Sequence, residues 1–530
     1  MAYDYIVVGA GTAGSLLANR LSEDPGVRVL LLEAGPRPTS LWTRMPAGVS
    51  RLIFPGPLNW GFSTEPEPEL NGRRIYAPRG RGLGGSSLIN GMGYFRGQAE
   101  DYDSWARFGV NGWGWDEMLP CFKKLERRAG GDPAYRGRSG ELSITDPRYQ
   151  HPASLDFVRA AINAGVPANP DFNGERAEGA GMMQFNIYEG ERHTSARAFV
   201  DPVRQRTNLQ VMTDAHVRRV TLEQGEATGV EVSRGGRIEQ LEATREVILS
   251  AGAFGSPALL QLSGIGPAAE LQQLGIAVAK DLPGVGQNLQ DHMYIHHTYA
   301  TRPDSSINAG IRGWRSLLYG AQYLLTRQGP LTMGASQACA FLRSLPDVER
   351  ADVQITFRPM SWRFSDKGTV EIGKTPEMTI SVCNLRPEAR GSVSLGSADP
   401  MAAPRIRANY FSTARDREVG VASVRAVRRL LGAQPMAARI VGEVAPGAER
   451  QSDASIIDYI RETAQSMHHW VGTCAMGQGP QAVVDERLRV HGVGRLRVVD
   501  ASVMPLITSA NTNAPTFAVA ERAAALMRQD

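Results

Sequence analysis

The chain has 530 residues, 42% of them hydrophobic, which is enough for two domains with cores of their own. Lys and Arg number 58 against 54 Asp and Glu, and this net charge of +4 gives no indication of a nucleic-acid partner. Four cysteines without metal-ligand spacing predict reduced thiols, no metal site and a cytoplasmic protein. We find no apolar run of the ~20 residues that a membrane span needs, and no targeting segment at the N-terminus.

The first 35 residues predict a strand, a turn, a helix and a second strand. Tyr5–Val8 and Val29–Leu32 are short, fully apolar runs of the kind buried in parallel sheets. Residues 13–21 between them have the apolar spacing of a helix. This order of elements is that of a nucleotide-binding unit.

The turn in this unit carries the spacing Gly9-x-Gly11-x-x-Gly14. The first glycine allows a tight turn, the second lets a pyrophosphate approach the backbone, and the third permits close packing of helix on strand. The helix N-terminus favours the negative charge of the phosphates. Glu33 ends the second strand, where a carboxylate accepts hydrogen bonds from ribose hydroxyls. The unit predicts a bound dinucleotide but does not separate FAD from NAD.

The remaining chain suggests one nucleotide-binding domain interrupted by a second domain. Residues 36–80 are rich in Pro, Gly and Arg and predict long surface excursions of the type that cover a cofactor. Short alternating runs over 209–250 predict antiparallel strands, followed by a buried strand at Val247–Leu249. We expect the first domain to comprise residues 1–150, 190–298 and 466–530, and the second to comprise 151–189 and 299–465.

Five segments together resemble the glucose-methanol-choline (GMC) oxidoreductase family. They follow the family's order along the chain, which is more specific than any one of them; they are Arg79–Met92, Gly252–Gly266, Leu282–His292, His469–Thr473 and Asn511–Thr516. The resemblance implies an FAD-dependent enzyme that oxidises alcohols. It implies an α/β fold with an α+β second domain, in which a Rossmann-like FAD-binding domain is joined to a discontinuous substrate-binding domain built on an antiparallel sheet flanked by helices.

The same resemblance implies the residues that hold FAD. Gly84 and Gly85 let the backbone press against a flavin, and Ser86 offers a hydroxyl to phosphate. Some family members link flavin covalently to a histidine just before the asparagine that stands here as Asn90; this chain has Ile89 there, so we expect non-covalent FAD. The implied cofactor contacts are Gly9, Gly11, Thr12, Ala13, Gly14, Glu33, Ala34, Arg81, Gly84, Gly85, Ser86, Asn90, Gly91, Met92, Val217, Ala251, Gly252, Asp500, Ala501, Asn511, Thr512 and Asn513.

Two residues are expected to act on the substrate. Alcohol oxidation needs a base for the hydroxyl proton and an acceptor, flavin N5, for the hydride; a histidine with an ordinary pKa of ~6.5 suits the first task. His468 and His469 point to opposite sides if extended, and family spacing selects His469 as the base. Asn511 matches the second catalytic position and is expected to orient the substrate oxygen. His292 is interpreted as structural, and no role is assigned to the pair His296-His297.

The substrate itself is less well defined. We expect a primary alcohol, aliphatic or aromatic, with choline as one candidate, and expect pocket walls from His468, Trp470, Phe357 and Trp362. The electron acceptor is left open between oxygen and a quinone-like carrier, and the oligomeric state between monomer and dimer. Two alternatives on the same scaffold are a non-redox hydroxynitrile lyase and a flavin photodecarboxylase, neither of which turns over alcohols in the dark.

Overall fold

The computed structural model describes residues 2–311, 313–364 and 370–529. The strands of its two large sheets are, in chain order, β1 (Tyr3–Val8), β2 (Val29–Leu32), β3 (Gly179–Met182), β4 (Leu209–Met212), β5 (Ala215–Glu223), β6 (Glu226–Arg234), β7 (Arg237–Leu249), β8 (Met293–Thr301), β9 (Ala338–Leu342), β10 (Val353–Arg358), β11 (Glu377–Asn384), β12 (Ile440–Ala445), β13 (Gln465–Ser466) and β14 (Leu496–Val498). Shorter pairs are Phe62–Ser63 with Tyr76–Ala77, Glu126–Arg127 with Leu142–Ser143, Ile187–Tyr188 with Glu191–Arg192, Ile265–Gly266 with Lys280–Asp281, Trp362–Phe364 with Val370–Ile372, and Ser392–Ser394 with Arg405–Arg407.

Eleven α-helices of the described residues accompany these strands. They are α1 (Thr12–Leu21), α2 (Val49–Leu52), α3 (Ala99–Asp103), α4 (Trp115–Leu125), α5 (Pro152–Asn163), α6 (Gly252–Leu262), α7 (Ala268–Gln273), α8 (Trp314–Thr326), α9 (Ala414–Leu431), α10 (Asp453–Thr463) and α11 (Asn513–Met527). In the part of the chain that the structure describes, none of them has both the length and the apolar character of a membrane-crossing helix.

The first sheet has a parallel core. Its strand order is β4-β2-β1-β7-β6-β5, with β14 also paired to β7. Strands β4, β2, β1, β7 and β14 are parallel, whereas β5, β6 and the first half of β7 form an antiparallel meander. Strand β2 is fully buried, and helix α1 packs against both β1 and β2, with α11 packed on α1. The predicted strand, helix and strand at the N-terminus are confirmed as β1, α1 and β2.

The second sheet is antiparallel throughout, in the order β12-β8-β11-β10-β9-β3 with β13 paired to β8. Side chains alternate between its two faces. One face carries apolar residues such as Ile295, Ile355 and Ile380, which belong to a buried core cluster, and α5 and α9 pack against strands of this sheet. The other face carries polar residues and borders a cavity. The predicted α/β fold with an antiparallel second sheet is confirmed.

The pairing of strands in the second sheet indicates where the boundaries between the two domains lie. Strand β8 begins at Met293 and pairs within the second sheet, although residues up to 298 were expected in the first domain. Residues 179–182 and 465–466 also pair there. We propose that the chain changes domain near residue 292 and again near residue 467.

Candidate active site

A cavity of about 800 Å³ lies between the parallel sheet and the polar face of the antiparallel sheet. This size is typical of a ligand site. Residues 36–80 contribute part of its lining, including Trp42, Arg51 and Trp60. The expected site residues that line it are Gly9, Gly11, Thr12, Ala13, Glu33, Ala34, Gly85, Ser86, Asn90, Gly91, Met92, Val217, Ala251, Gly252, Trp362, His468, His469, Trp470, Asp500, Ala501, Asn511, Thr512 and Asn513.

Three expected cofactor residues lie behind this lining. A Cβ on Gly14 would collide with the carbonyl oxygen of Gly9, so this glycine serves helix packing. The Gly84 N–H donates to the Ala10 carbonyl at 2.9 Å. The Arg81 guanidinium lies 5.2 Å from the ring centroid of Trp60 and donates to a main-chain carbonyl. These residues support the lining from behind.

The placement of Phe357 corrects the sequence interpretation. Its side chain lies on the apolar face of the second sheet, where it stacks on Phe157 with 5.2 Å between ring centroids. Its neighbours Thr356 and Arg358 line the cavity instead. The reason is strand alternation, since residues on either side of Phe357 must face the opposite way.

Glu33 joins the dinucleotide turn to the second glycine-rich segment. Its carboxylate accepts N–H groups from Ala10 at 3.0 Å, Gly35 at 2.8 Å and Gly82 at 2.9 Å. Burial raises the pKa of Glu33 to about 7, against these hydrogen bonds. Oxygen Oε2 has one protein donor and keeps capacity for a ribose hydroxyl.

Three helices begin at the cavity without a side-chain cap: α1 at Thr12, α6 at Gly252 and α11 at Asn513. The first N–H groups of α1 and α11 therefore remain available to an anionic ligand, whereas the Gly252 N–H of α6 donates to the Asp500 carboxylate at 2.8 Å. A Cβ on Gly85 would lie 2.6 Å from the Gly11 Cα, so the two glycine-rich segments approach each other this closely because residue 85 carries no side chain. The arrangement fits a dinucleotide pyrophosphate.

At the far end of the cavity, His469 contacts His292. Their Nδ1 atoms lie 2.9 Å apart, and His292 Nε2 lies 3.0 Å from the Leu385 carbonyl oxygen. A carbonyl only accepts, so His292 Nε2 carries a proton. Burial lowers the pKa of His292 to about 4, and the neutral ring then has a bare Nδ1 that accepts from His469 Nδ1–H. The neutral His469 is left with an unprotonated Nε2.

Asp291 fixes the backbone around this pair. One carboxylate oxygen accepts the His469 N–H at 2.6 Å, and the other accepts hydroxyl protons from Ser466 and Tyr410. Burial raises the pKa of Asp291 to about 6. His468 has a φ of +66°, so the backbone bends there and the His468 and His469 side chains do not follow the alternation of an extended strand.

The electrostatics keep His469 neutral. Its pKa is held well below the ordinary value by burial first, then by the neighbouring His292, His468 and Arg79. A neutral imidazole is the form that accepts a proton.

Comparison with models of known protein families shows the family of this chain. A GMC oxidoreductase N-terminal model matches residues 3–294, and the C-terminal model of the same family matches residues 387–520. The chain belongs to the GMC oxidoreductase family. Members of this family bind FAD, and the uncapped helix starts and the Gly11–Gly85 approach fit that group.

Relatives of this GMC oxidoreductase match it over nearly the whole length. An oxygen-dependent choline dehydrogenase from Sinorhizobium fredii is 42% identical, covering 99% of this chain and 95% of that protein. An alcohol dehydrogenase [acceptor] from Pseudomonas putida is also 42% identical, with the same coverage. The chain is therefore an FAD-dependent oxidoreductase that acts on CH–OH donors.

Solved structures agree with this GMC fold. Pyridoxine 4-oxidase from Mesorbium loti has a TM-score of 0.90 at 32% identity, covering 100% of this chain and 99% of that one. A fungal aryl-alcohol oxidase has a TM-score of 0.86 at 27% identity, covering 100% and 99%.

Asn511 lies just before α11 and lines the cavity of this GMC enzyme. Its side-chain oxygen is buried and has no hydrogen-bond partner among the described residues. A buried polar atom without a partner is costly, so the position suits a group that meets a ligand.

Three features of the cavity's surroundings were absent from the sequence interpretation. His292 was taken as structural although it contacts His469, Asp291 was given no role, and Arg358 was not singled out. The first two stand side by side in a segment that had been matched to the family, Leu282–His292, which was the available signal. Arg358 belongs to a segment, 356–362, that was expected to supply pocket walls, but a lone arginine has no spacing that distinguishes it from its neighbours.

Proposed function

We propose that the enzyme oxidises a primary alcohol to the aldehyde, with His469 as the base and FAD held without a covalent bond. The observation that carries this is the chain from the Leu385 carbonyl through His292 to His469, which leaves Nε2 of His469 free to accept a proton. The names of the relatives include choline, pyridoxine and aryl alcohol, each of which has a primary hydroxyl.

The reaction separates an alcohol into a proton, a hydride and a carbonyl compound. His469 Nε2 takes the hydroxyl proton while the carbon–hydrogen bond breaks and the carbon–oxygen double bond forms. FAD, which the glycine-rich turn and the starts of α1 and α11 would hold, would supply the two-electron acceptor for the hydride. The imidazolium that forms keeps its Nδ1–H bond to His292, which stabilises the charge.

Asn511 orients the substrate. An amide is not a base, but its Nδ2 hydrogens donate to the alcohol oxygen and its Oδ1 is open to a second donor. The N-terminus of α11, which starts two residues later, adds partial positive charge to the cavity. Both features stabilise negative charge that develops there during oxidation.

Non-covalent binding rests on Ile89. It lines the cavity at the position before Asn90 and has no atom that forms a bond to flavin. Protein precipitated with acid should release the flavin into the supernatant. Yellow colour retained in the washed precipitate would show a covalent link.

The test is anaerobic reduction of the bound flavin by a panel of primary and secondary alcohols in the dark, followed at the flavin absorbance band. Bleaching by primary alcohols, with the aldehyde as product, is expected, and the variant His491→Gln, changed outside the cavity lining, should behave as wild type. A hydroxynitrile lyase or a photodecarboxylase would give no bleaching. Repeating the turnover with oxygen and with a quinone separates oxidase from dehydrogenase.

A further inference from the structure

The half of the cavity beside the antiparallel sheet contains an arginine for which the described residues provide no carboxylate partner. Arg358 is the last residue of β10 and is only 6% exposed. Its Nε donates to the Ala335 carbonyl at 2.6 Å, and Nη1 donates to the Ser381 hydroxyl at 2.9 Å. Both acceptors are neutral, so they position the guanidinium but do not compensate its charge.

No acidic side chain of the described residues offsets this charge. Burial lowers the pKa of Arg358, and the Tyr294 hydroxyl is the group that favours its charged form. The acids in the described cavity lining are Glu33 and Asp500, which stand at the ends of β2 and β14 on the dinucleotide side. A buried guanidinium keeps its charge, so an anion that enters the cavity beside Arg358 would compensate it.

The other cavity arginines differ in this respect. Arg79 lies near the Asp291 carboxylate, whose charge favours the protonated guanidinium. Arg51, on α2, is exposed to solvent, and its guanidinium lies 4.0 Å from the ring centroid of Trp42. Only Arg358, among the described arginines of the lining, combines burial with a lack of carboxylate charge.

We propose that Arg358 binds a carboxylate of the substrate, so that the enzyme oxidises primary alcohols that carry a carboxylate remote from the hydroxyl. The inference rests on the proposed alcohol oxidation and names its substrate class. Arginine presents a planar fork of N–H donors that matches a carboxylate, and the described partners of this fork, the Ala335 carbonyl and the hydroxyls of Ser381 and Tyr294, are all neutral. The carboxylate would be held at the sheet while the hydroxyl lies at His469.

The same geometry disfavours a quaternary ammonium substrate. Such a cation needs aromatic faces or a carboxylate. The rings of Tyr294 and Trp362 line this half of the cavity, but the Arg358 guanidinium already lies 5.8 Å from each ring centroid. A second cation there would meet like charge, so choline should be a poor substrate despite the similarity to choline dehydrogenases.

The experiment compares three alcohols of one shape and different charge: para-hydroxymethyl benzoate, para-methylbenzyl alcohol and the para-trimethylammonium analogue. The kcat/KM for anaerobic flavin reduction should be highest for the carboxylate, by about 10- to 100-fold over the neutral alcohol. In Arg358→Met the kcat/KM for the carboxylate should fall until it is close to that for the neutral alcohol, so that the ratio of the two approaches unity. Arg358→Lys keeps the positive charge and should retain part of the preference for the carboxylate substrate.

The control is Arg343→Met, which removes an arginine whose side chain is 53% exposed and paired with Glu178 at the surface. It should leave the ratio unchanged. Flavin content and thermal unfolding of each variant show whether the fold is kept. A wild-type enzyme that prefers the neutral or cationic alcohol, or an unchanged ratio in Arg358→Met, would overturn the proposal.

A binding measurement separates this proposal from the proposed function. Para-toluate lacks the hydroxyl, and its binding should perturb the flavin spectrum of wild type but not of Arg358→Met. If no alcohol reduces the flavin while para-toluate binds in this way, the carboxylate site stands and the oxidation fails. If the neutral alcohol reduces flavin but para-toluate binds both proteins alike, the oxidation stands and the carboxylate site fails.

Discussion

The Nδ1 atoms of His292 and His469 lie 2.9 Å apart, and His292 reaches the Leu385 carbonyl with its other nitrogen. The Leu385 carbonyl accepts from His292, and His292 accepts from His469, so these two hydrogen bonds place the His469 proton on Nδ1. A histidine without such a partner would exchange between its two tautomers, and only the one with an unprotonated Nε2 could accept the proton there. The pair therefore does two things at once: it orients the ring and it leaves Nε2 bare.

Replacing His292 tests this role directly. Leucine removes the acceptor for His469 Nδ1–H, so flavin reduction should slow by roughly 100-fold. Glutamine offers an amide oxygen to His469 and an N–H to Leu385, so His292→Gln should recover most of the rate. Stopped-flow reduction of the FAD-loaded variants measures both.

A purely structural role for His292 would give a different pattern. Both variants would then lose rate in proportion to their loss of thermal stability, and glutamine would show no selective recovery. The leucine variant should also change the pH profile of kcat/KM, because His292 is one of the groups that set the pKa of His469.

The pH dependence of the wild type follows from the depressed pKa of His469. Burial and neighbouring groups hold it well below the ordinary value, so the neutral base persists as the pH falls. We expect kcat/KM for flavin reduction to stay constant as the pH drops through about 6.5. A loss of half the activity near that pH would contradict the assignment.

Stability should depend on another histidine. His297 is fully buried, burial lowers its pKa to about 3, and neither ring nitrogen has a hydrogen-bond partner among the described residues. Below about pH 6.5 the unfolded chain binds a proton there that the folded chain does not, so folding loses stability as the pH falls. At about pH 5 this costs about 2 kcal/mol.

His297→Phe should remove that cost, since the phenyl ring does not titrate. The melting temperature of the variant should fall less between about pH 7.5 and about pH 5 than that of wild type. Equal falls for both proteins would show that His297 is not neutral in the fold.

Cofactor binding depends on the approach of the two glycine-rich segments. Gly85→Ala places a Cβ 2.6 Å from the Gly11 Cα and should yield protein with little flavin. Gly442→Ala is the matched control, because a Cβ there meets no atom within 4 Å. The ratio of flavin to protein absorbance in the purified variants checks this, and equal FAD content would argue against a close fit at Gly85.

The sequence predicted the dinucleotide unit well because local physics determines it. The run Tyr5–Val8, the glycine turn and residues 13–21 specify strand, turn and helix within a few residues of each other. The antiparallel second sheet was also predicted, from the family resemblance.

The relationships across the site could not be predicted in the same way. His292 and His469 are 177 residues apart, and only the folded chain shows that their nitrogens meet. Phe357 was expected in the pocket wall as part of a segment whose side chains the sequence does not place, and the strand's register decides which face each residue takes. That register depends on neighbouring strands, so a single-residue error exchanges Phe357 for Arg358.

The central claim is that His469 removes the substrate proton, and anaerobic flavin reduction in His469→Ala tests it most directly. The variant should keep its FAD, because the groups that line the dinucleotide end of the cavity are unchanged, yet reduction by a good alcohol substrate should slow by at least about 100-fold. Asn511→Ala, which leaves the base in place, should slow it less. A His469→Ala enzyme that bleaches its flavin at the wild-type rate would contradict the account.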